Sequence, residues 1–115
     1  SAETLASIAP KSVTAPIAMG IAEAIGGVPA LAAVFAVTTG VVGAVAGKYV
    51  LDACRVDGWP ARGFALGLAA HGIGTARAFQ VSGEAGAFAG LAFALHGLFA
   101  ALAFPAGRAL VQWLL

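Results

Sequence analysis

Apolar positions in this chain come in long runs, with none of the strict alternation that marks a half-buried strand. Val28 to Gly47 carries no charge at all, which is close to the roughly 20 residues a helix needs to cross a bilayer. Four helical segments are predicted. Segment A runs from Ser12 to Ile25 and ends at Gly26-Gly27. Segment B starts at Pro29, a favoured first helical position, and runs to about Asp52. Segment C runs from Pro60 to about Gln80 and is broken at Gly72-Ile73-Gly74. Segment D follows Ser82-Gly83 and reaches Phe104, where Pro105 kinks or ends it. An amphipathic tail, Ala106 to Leu115, carries Arg108 and Trp113 and is expected at the membrane interface. The predicted fold class is all-α: a single domain over residues 1–115 of about four transmembrane segments, with A and C interrupted.

Composition agrees with lipid as the solvent. Of 115 residues, 61% are apolar and 10% charged, against roughly 25% charged in soluble domains. So few charges cannot cover the large relative surface of a small domain in water. The net charge of +1 gives no reason to expect nucleic acid. Cys54 is the sole cysteine, so no disulfide forms within the chain. The first nine residues lack the basic start of a secretory leader. With no initiator Met, a truncated or processed product is expected.

Glycines recur at four-residue spacing as Gly43/Gly47, Gly63/Gly67 and Gly86/Gly90. Such pairs let helix backbones approach closely in lipid, although glycine is also simply common here (16 residues). They also make a second copy of the chain a candidate partner. If all four segments cross, Lys11, Lys48, Arg55, Arg62 and Arg108 share one side, which the positive-inside rule makes cytoplasmic. Arg77 is then left near the outer end of C. A loose internal repeat lays Ser12–Ala18 over Gly72–Ala78, and paired interrupted segments point to a transporter site.

Polar groups in lipid are costly and need a reason. In Pro10-Lys11-Ser12-Val13-Thr14-Ala15-Pro16, Pro16 suits the first helical turn and Ser12 or Thr14 can cap it. The product is a helix amino terminus beside Lys11, suited to an anion. The plainer reading, an ordinary helix start with Lys11 marking topology, is the stronger one for this cluster alone. The second cluster is His71-Gly72-Ile73-Gly74-Thr75-Ala76-Arg77. His71 lies about 16 Å along C from Pro60, near mid-bilayer. Gly72 and Gly74 can unwind the helix there, with Thr75 capping a second half-helix. His71 can take a proton or a carboxylate, and Arg77 can pair with an anion in a planar fork. A buried His bonded to a neighbouring carbonyl, with Arg77 snorkelling, is the alternative. Glu84 opens D, either complementing the helix amino terminus or pairing with Arg77; the first is preferred. His96 either faces the site or bonds to a neighbouring helix. Two histidines 25 positions apart and one cysteine make a metal site within the chain unexpected. No nucleophile–base pair or phosphate loop is present, so no enzyme and no cofactor are expected.

The sequence resembles the LrgB/CidB family of bacterial membrane proteins, described as antiholin-like or as murein hydrolase regulators. The likeness rests on Pro10-Lys11-Ser12-Val13-Thr14 with Pro16-Ile17-Ala18, on Ala61-Arg62-Gly63 with Ala65-Leu66-Gly67, on His71 to Ala78, and on Glu84-Ala85-Gly86-Ala87-Phe88. It extends from Pro10 to Pro105. His96-Gly97 stands where the family pattern expects Asn-Gly. Members are about twice this length, so the resemblance implies a carboxyl-terminal half, in the bacterial cytoplasmic membrane. It implies lysis control with a small holin-like partner of the LrgA/CidA kind. It also implies transport of small carboxylates, because a related plastid protein carries glycolate and glycerate and bacterial members are linked to pyruvate. The residues favour transport. Lys11, Ser12, Thr14, His71, Gly72, Gly74, Thr75, Arg77 and Glu84 are the expected carboxylate-site residues.

Overall fold

The computed structural model describes residues 1–114 and contains five helices there. They are α1 (Ala2–Ile8), α2 (Ala15–Ile25), α3 (Pro29–Ala53), α4 (Trp59–Val81) and α5 (Gly83–Leu114). Among the described residues no strand occurs. Among the described residues, α3 and α5 are the two helices long and apolar enough to cross a membrane by length and composition. α2 is apolar but spans 11 residues, about 16 Å at 1.5 Å per residue.

Local signals set most boundaries. Pro16 and Pro29 sit in the first turns of α2 and α3, where a missing N–H costs nothing. Gly26 ends α2 at φ 84, a conformation cheap only for glycine. Ser82 accepts a 3.3 Å bond from Ala85 N at the start of α5. The ends differ from the sequence reading in two ways. α1 was not anticipated; Ser1 Oγ caps it through Thr4 N, and Ser7 Oγ ties it to α3 by accepting from Val28 N at 2.8 Å. Nor does Pro105 end the last helix: α5 continues through it to Leu114 without a separate tail. Pro105 lies against α2, lining a hollow with Ile17 and Ile21. Neighbouring helices of this kind let membrane proteins keep an internal proline. Leu115, the end of the expected tail, lies outside the described residues.

Glycines set the helix spacing. A Cβ on Gly63 would lie 2.0 Å from Ala85 O, and one on Gly67 would lie 2.0 Å from Ala89 O. The first half of α4 therefore runs beside α5 in the same direction, backbone against backbone. Gly43 and Gly47 of α3 face Ala70 and Leu66 in the opposite sense. α4 itself is not straight: His71 has φ 43 and ψ −133. Beyond it the chain doubles back, since a Cβ on Gly74 would sit 2.5 Å from Leu66 O, and Ala78 packs with Leu66. A continuous helix would hold Gly74 about 12 Å from Leu66 along its axis. A second cluster joins α2, α3 and α5 through Ala18, Ala22, Ala36 and Ala100.

This path corrects the expected charge topology. Arg77 lines a cavity with Lys48 and Arg62, so it stands at the same end of the bundle as they do. Arg108 is at the other end: its Nη1 donates to Ala24 O at 2.9 Å, just before α3 begins. The expectation assumed that C crosses once; because α4 returns to the end it entered from, α5 carries Arg108 across. Cysteines placed at positions 57 and 108, on a background lacking Cys54, should therefore label from opposite faces of the membrane. Labelling from one face would refute the arrangement.

Candidate functional site at the bend of α4

The bend places a histidine in an unusual setting. A non-glycine residue at φ 43 and ψ −133 is strained, at a cost of order 1–3 kcal/mol. His71 is nonetheless buried, with 3% of its surface exposed. Its Nε2 lies 2.8 Å from Ala36 O on α3. A carbonyl can only accept, so Nε2 carries the proton and donates, and in the neutral ring Nδ1 is left as a bare acceptor. Nδ1 is buried without a partner among the described residues. The ring fits because α3 presents glycine to it: a Cβ on Gly40 would lie 2.7 Å from His71 Cε1.

Other groups secure the same turn. Thr75 Oγ1 donates to His71 O at 2.8 Å. His96 Nδ1, on α5, donates to Leu68 O at 2.9 Å, supplying a bond where the bend disturbs the regular helical ladder. Leu68, Ala69 and His96 line a cavity of about 390 Å³ together with Pro10, Ser12 and Val13. The turn before α2 and the bend of α4 thus adjoin one space.

The expected site residues divide. Ser12 lines that cavity and receives a 3.1 Å bond from Lys11 Nζ. Thr14 occupies the N-cap position of α2, but its side chain makes no cap bond, contrary to the expected capping by Ser12 or Thr14. His71 and Thr75 form the bend. The departure from helical geometry falls on His71 itself, and Gly72 has open space where a Cβ would go. Gly74 is a packing glycine, pressed against Leu66 O and Ala70. Thr75 bonds back to the bend and caps no second half-helix. Arg77 lines a different cavity and donates to Gln80 Oε1 at 3.2 Å. Glu84 sits in the first turn of α5, as the preferred reading expected. Sequence reasoning missed Ala36 and Gly40, which hold the imidazole, and Ser7, which anchors α1. Gly40 could have been flagged by its spacing with Gly43 and Gly47; a backbone acceptor such as Ala36 O leaves no trace in sequence.

The sequence profile of the LrgB-like family matches residues 1–110. This chain belongs to the LrgB-like family. As a member, it is similar to YwbG of Bacillus subtilis (strain 168), with 42% identity over 99 residues, 86% of this chain and 44% of that protein. It is also 30% identical over 105 residues to the holin-like protein CidB of Staphylococcus epidermidis, covering 91% of this chain and 46% of the relative. CidB of Staphylococcus aureus (strain Mu50) is 29% identical over the same number of residues. This LrgB-like chain spans about half the length of the curated relatives it matches. No solved structure matches it.

Proposed function

We propose that this chain acts in the bacterial cytoplasmic membrane as part of a holin-like system that controls murein hydrolase activity and lysis, together with a small holin-like membrane partner. Family membership and the names of the staphylococcal relatives support this reading. The structural observation that carries it is the apolar exterior of the two long helices. Val34, Val41 and Val45 on α3, with Leu98, Phe99 and Leu102 on α5, are all exposed in the single chain. Patches of that kind mark lipid or partner contacts. The test is to delete the full-length protein in its host and restore it with or without the partner. Autolysis should change on deletion and recover only when both are present. Unaltered autolysis on deletion would overturn the reading.

A second reading, passage of a small carboxylate, is favoured by His71. A strained, buried imidazole with an unpartnered Nδ1 needs a compensating role, and a proton carried on Nδ1 would let it donate to a carboxylate. Its ring packs against α3, while Leu68 and Ala69 just before it share a hollow with Pro10 and Ser12 of the turn before α2, where an anion would meet the amino terminus of α2. Lys11, Ser12, Thr14, His71 and Gly72 are the proposed binding residues. Gly74 and Thr75 are proposed to shape the bend, Arg77 to serve the route at the other cavity, and Glu84 to act from the first turn of α5. Proteoliposomes holding the full-length protein should then take up labelled small carboxylates saturably while retaining larger dyes. Release of dyes and carboxylates alike would leave only the pore-like behaviour of the first reading.

A further inference from the structure

We infer that the crevice between α3 and the doubled-back α4 is a binding site for an anionic phospholipid. Its mouth is a slot of about 80 Å³ bordered by Lys48, Arg62 and Arg77, with Trp59 beside them. Asp52 offsets part of this charge, bonding Lys48 Nζ at 2.6 Å and Arg62 Nη2 at 2.7 Å. Glu84, although near in sequence to the slot's Ala85, does not line it. Three cations against one carboxylate leave a net positive mouth. Among the described residues Arg77 has only the neutral Gln80 as a side-chain partner, so its guanidinium keeps donors available for a phosphate.

The walls decide what kind of anion fits. Leu51 and Leu66 line the slot and also line a neighbouring hollow of about 280 Å³. That hollow is bounded by Val42, Gly43, Ala46 and Gly47 on one side and by Ala65 and Ala69 on the other. Among the described residues no charged one borders it. From Val50 to Val42 it follows α3 for about 12 Å. A cationic slot beside an apolar groove, with Leu51 and Leu66 in the walls of both, matches an amphiphile with its phosphate at the slot and an acyl chain along the groove. A small free anion would leave the groove empty. Lys48, Arg55, Arg62 and Arg77 gather at this end, which the positive-inside rule assigns to the cytoplasmic face. Anionic headgroups are held by basic pockets between membrane helices on that face.

Binding of phosphatidylglycerol to the detergent-solubilised full-length protein tests the site, read by native mass spectrometry and by thermal stabilisation. Wild-type protein should retain phosphatidylglycerol and gain stability from it, and should gain neither from phosphatidylcholine. Arg77→Gln should weaken binding about fivefold, the share of one cation near the surface, while Arg77→Lys should keep most of it. Arg55→Gln, which removes a cation outside the slot, should change little. Ala46→Phe should block the groove and lower affinity without touching a charge, which keeps the test open if Arg77→Gln fails to fold. Equal losses in Arg55→Gln and Arg77→Gln would reduce the site to diffuse surface charge and overturn the proposal. So would equal binding of phosphatidylcholine, or competition by glycerol 3-phosphate as strong as that of the intact lipid.

Discussion

Gly67→Ala is expected to push α4 and α5 apart and to destabilise the protein by about 2 kcal/mol or more, at the upper end of overpacking costs. The reason is the identity of the obstacle. The new methyl would meet Ala89 O at 2.0 Å and Ala89 Cα at 2.7 Å, and backbone cannot swing aside as a side-chain tip can. Gly63→Ala should behave alike, because its Cβ would meet Ala85 O at 2.0 Å. The control is Gly90→Ala on α5, which faces the returning half of α4 and whose nearest neighbour would be Thr75 Cγ2 at 4.0 Å. That change should be neutral or stabilising, since alanine is the better helix former by about 0.5–1 kcal/mol. Thermal unfolding of the full-length protein in detergent reads all three. Equal tolerance of Gly67→Ala and Gly90→Ala would show that α4 and α5 do not touch backbone to backbone.

The contrast between Gly67 and Gly90 shows what the sequence could and could not reveal. Spacing of four residues marked Gly43/Gly47, Gly63/Gly67 and Gly86/Gly90 equally. Spacing identifies one face of a helix, but not how closely a neighbour approaches it. Helix starts at Pro29 and near Pro60 were legible because a proline fixes its own φ and needs no hydrogen bond. Continuation of α5 through Pro105 was not, because tolerance depends on what packs beside the ring. The largest misreading came from α4. Its length, Trp59 to Val81, suits a single crossing, and hydropathy cannot tell a helix that crosses from one that turns back halfway. Once α4 returns, Arg77 joins Lys48 and Arg62, and Arg108 goes to the other end. The cluster around His71 was legible as unusual, because a histidine between small residues at membrane depth is costly. That the strained residue is the histidine itself was not. Glycines at 72 and 74 drew attention to themselves as the flexible positions, yet the positive φ falls between Ala70 and Gly72.

His71 therefore offers the sharpest separation of shape from chemistry. His71→Ala keeps the strained backbone, loses the 2.8 Å bond to Ala36 O and leaves a void beside Gly40. It should destabilise the protein by about 1–3 kcal/mol, from the lost bond and the void together. His71→Gly loses the same bond but relieves the φ 43 conformation, which glycine adopts freely. The relief, of order 1–3 kcal/mol, should offset most of the loss. His71→Gly is thus expected to fold with stability near that of the wild type. If the imidazole acts on a carboxylate through a proton taken up on its unpartnered Nδ1, carboxylate uptake should be abolished in both variants although one of them is stable. The paired measurement is thermal unfolding alongside uptake by proteoliposomes, with the full-length protein in each case. Full uptake by His71→Gly would show that only the bend matters and that the histidine is a strut to α3. Strong destabilisation of His71→Gly would instead mean that the bond to Ala36 outweighs the backbone strain.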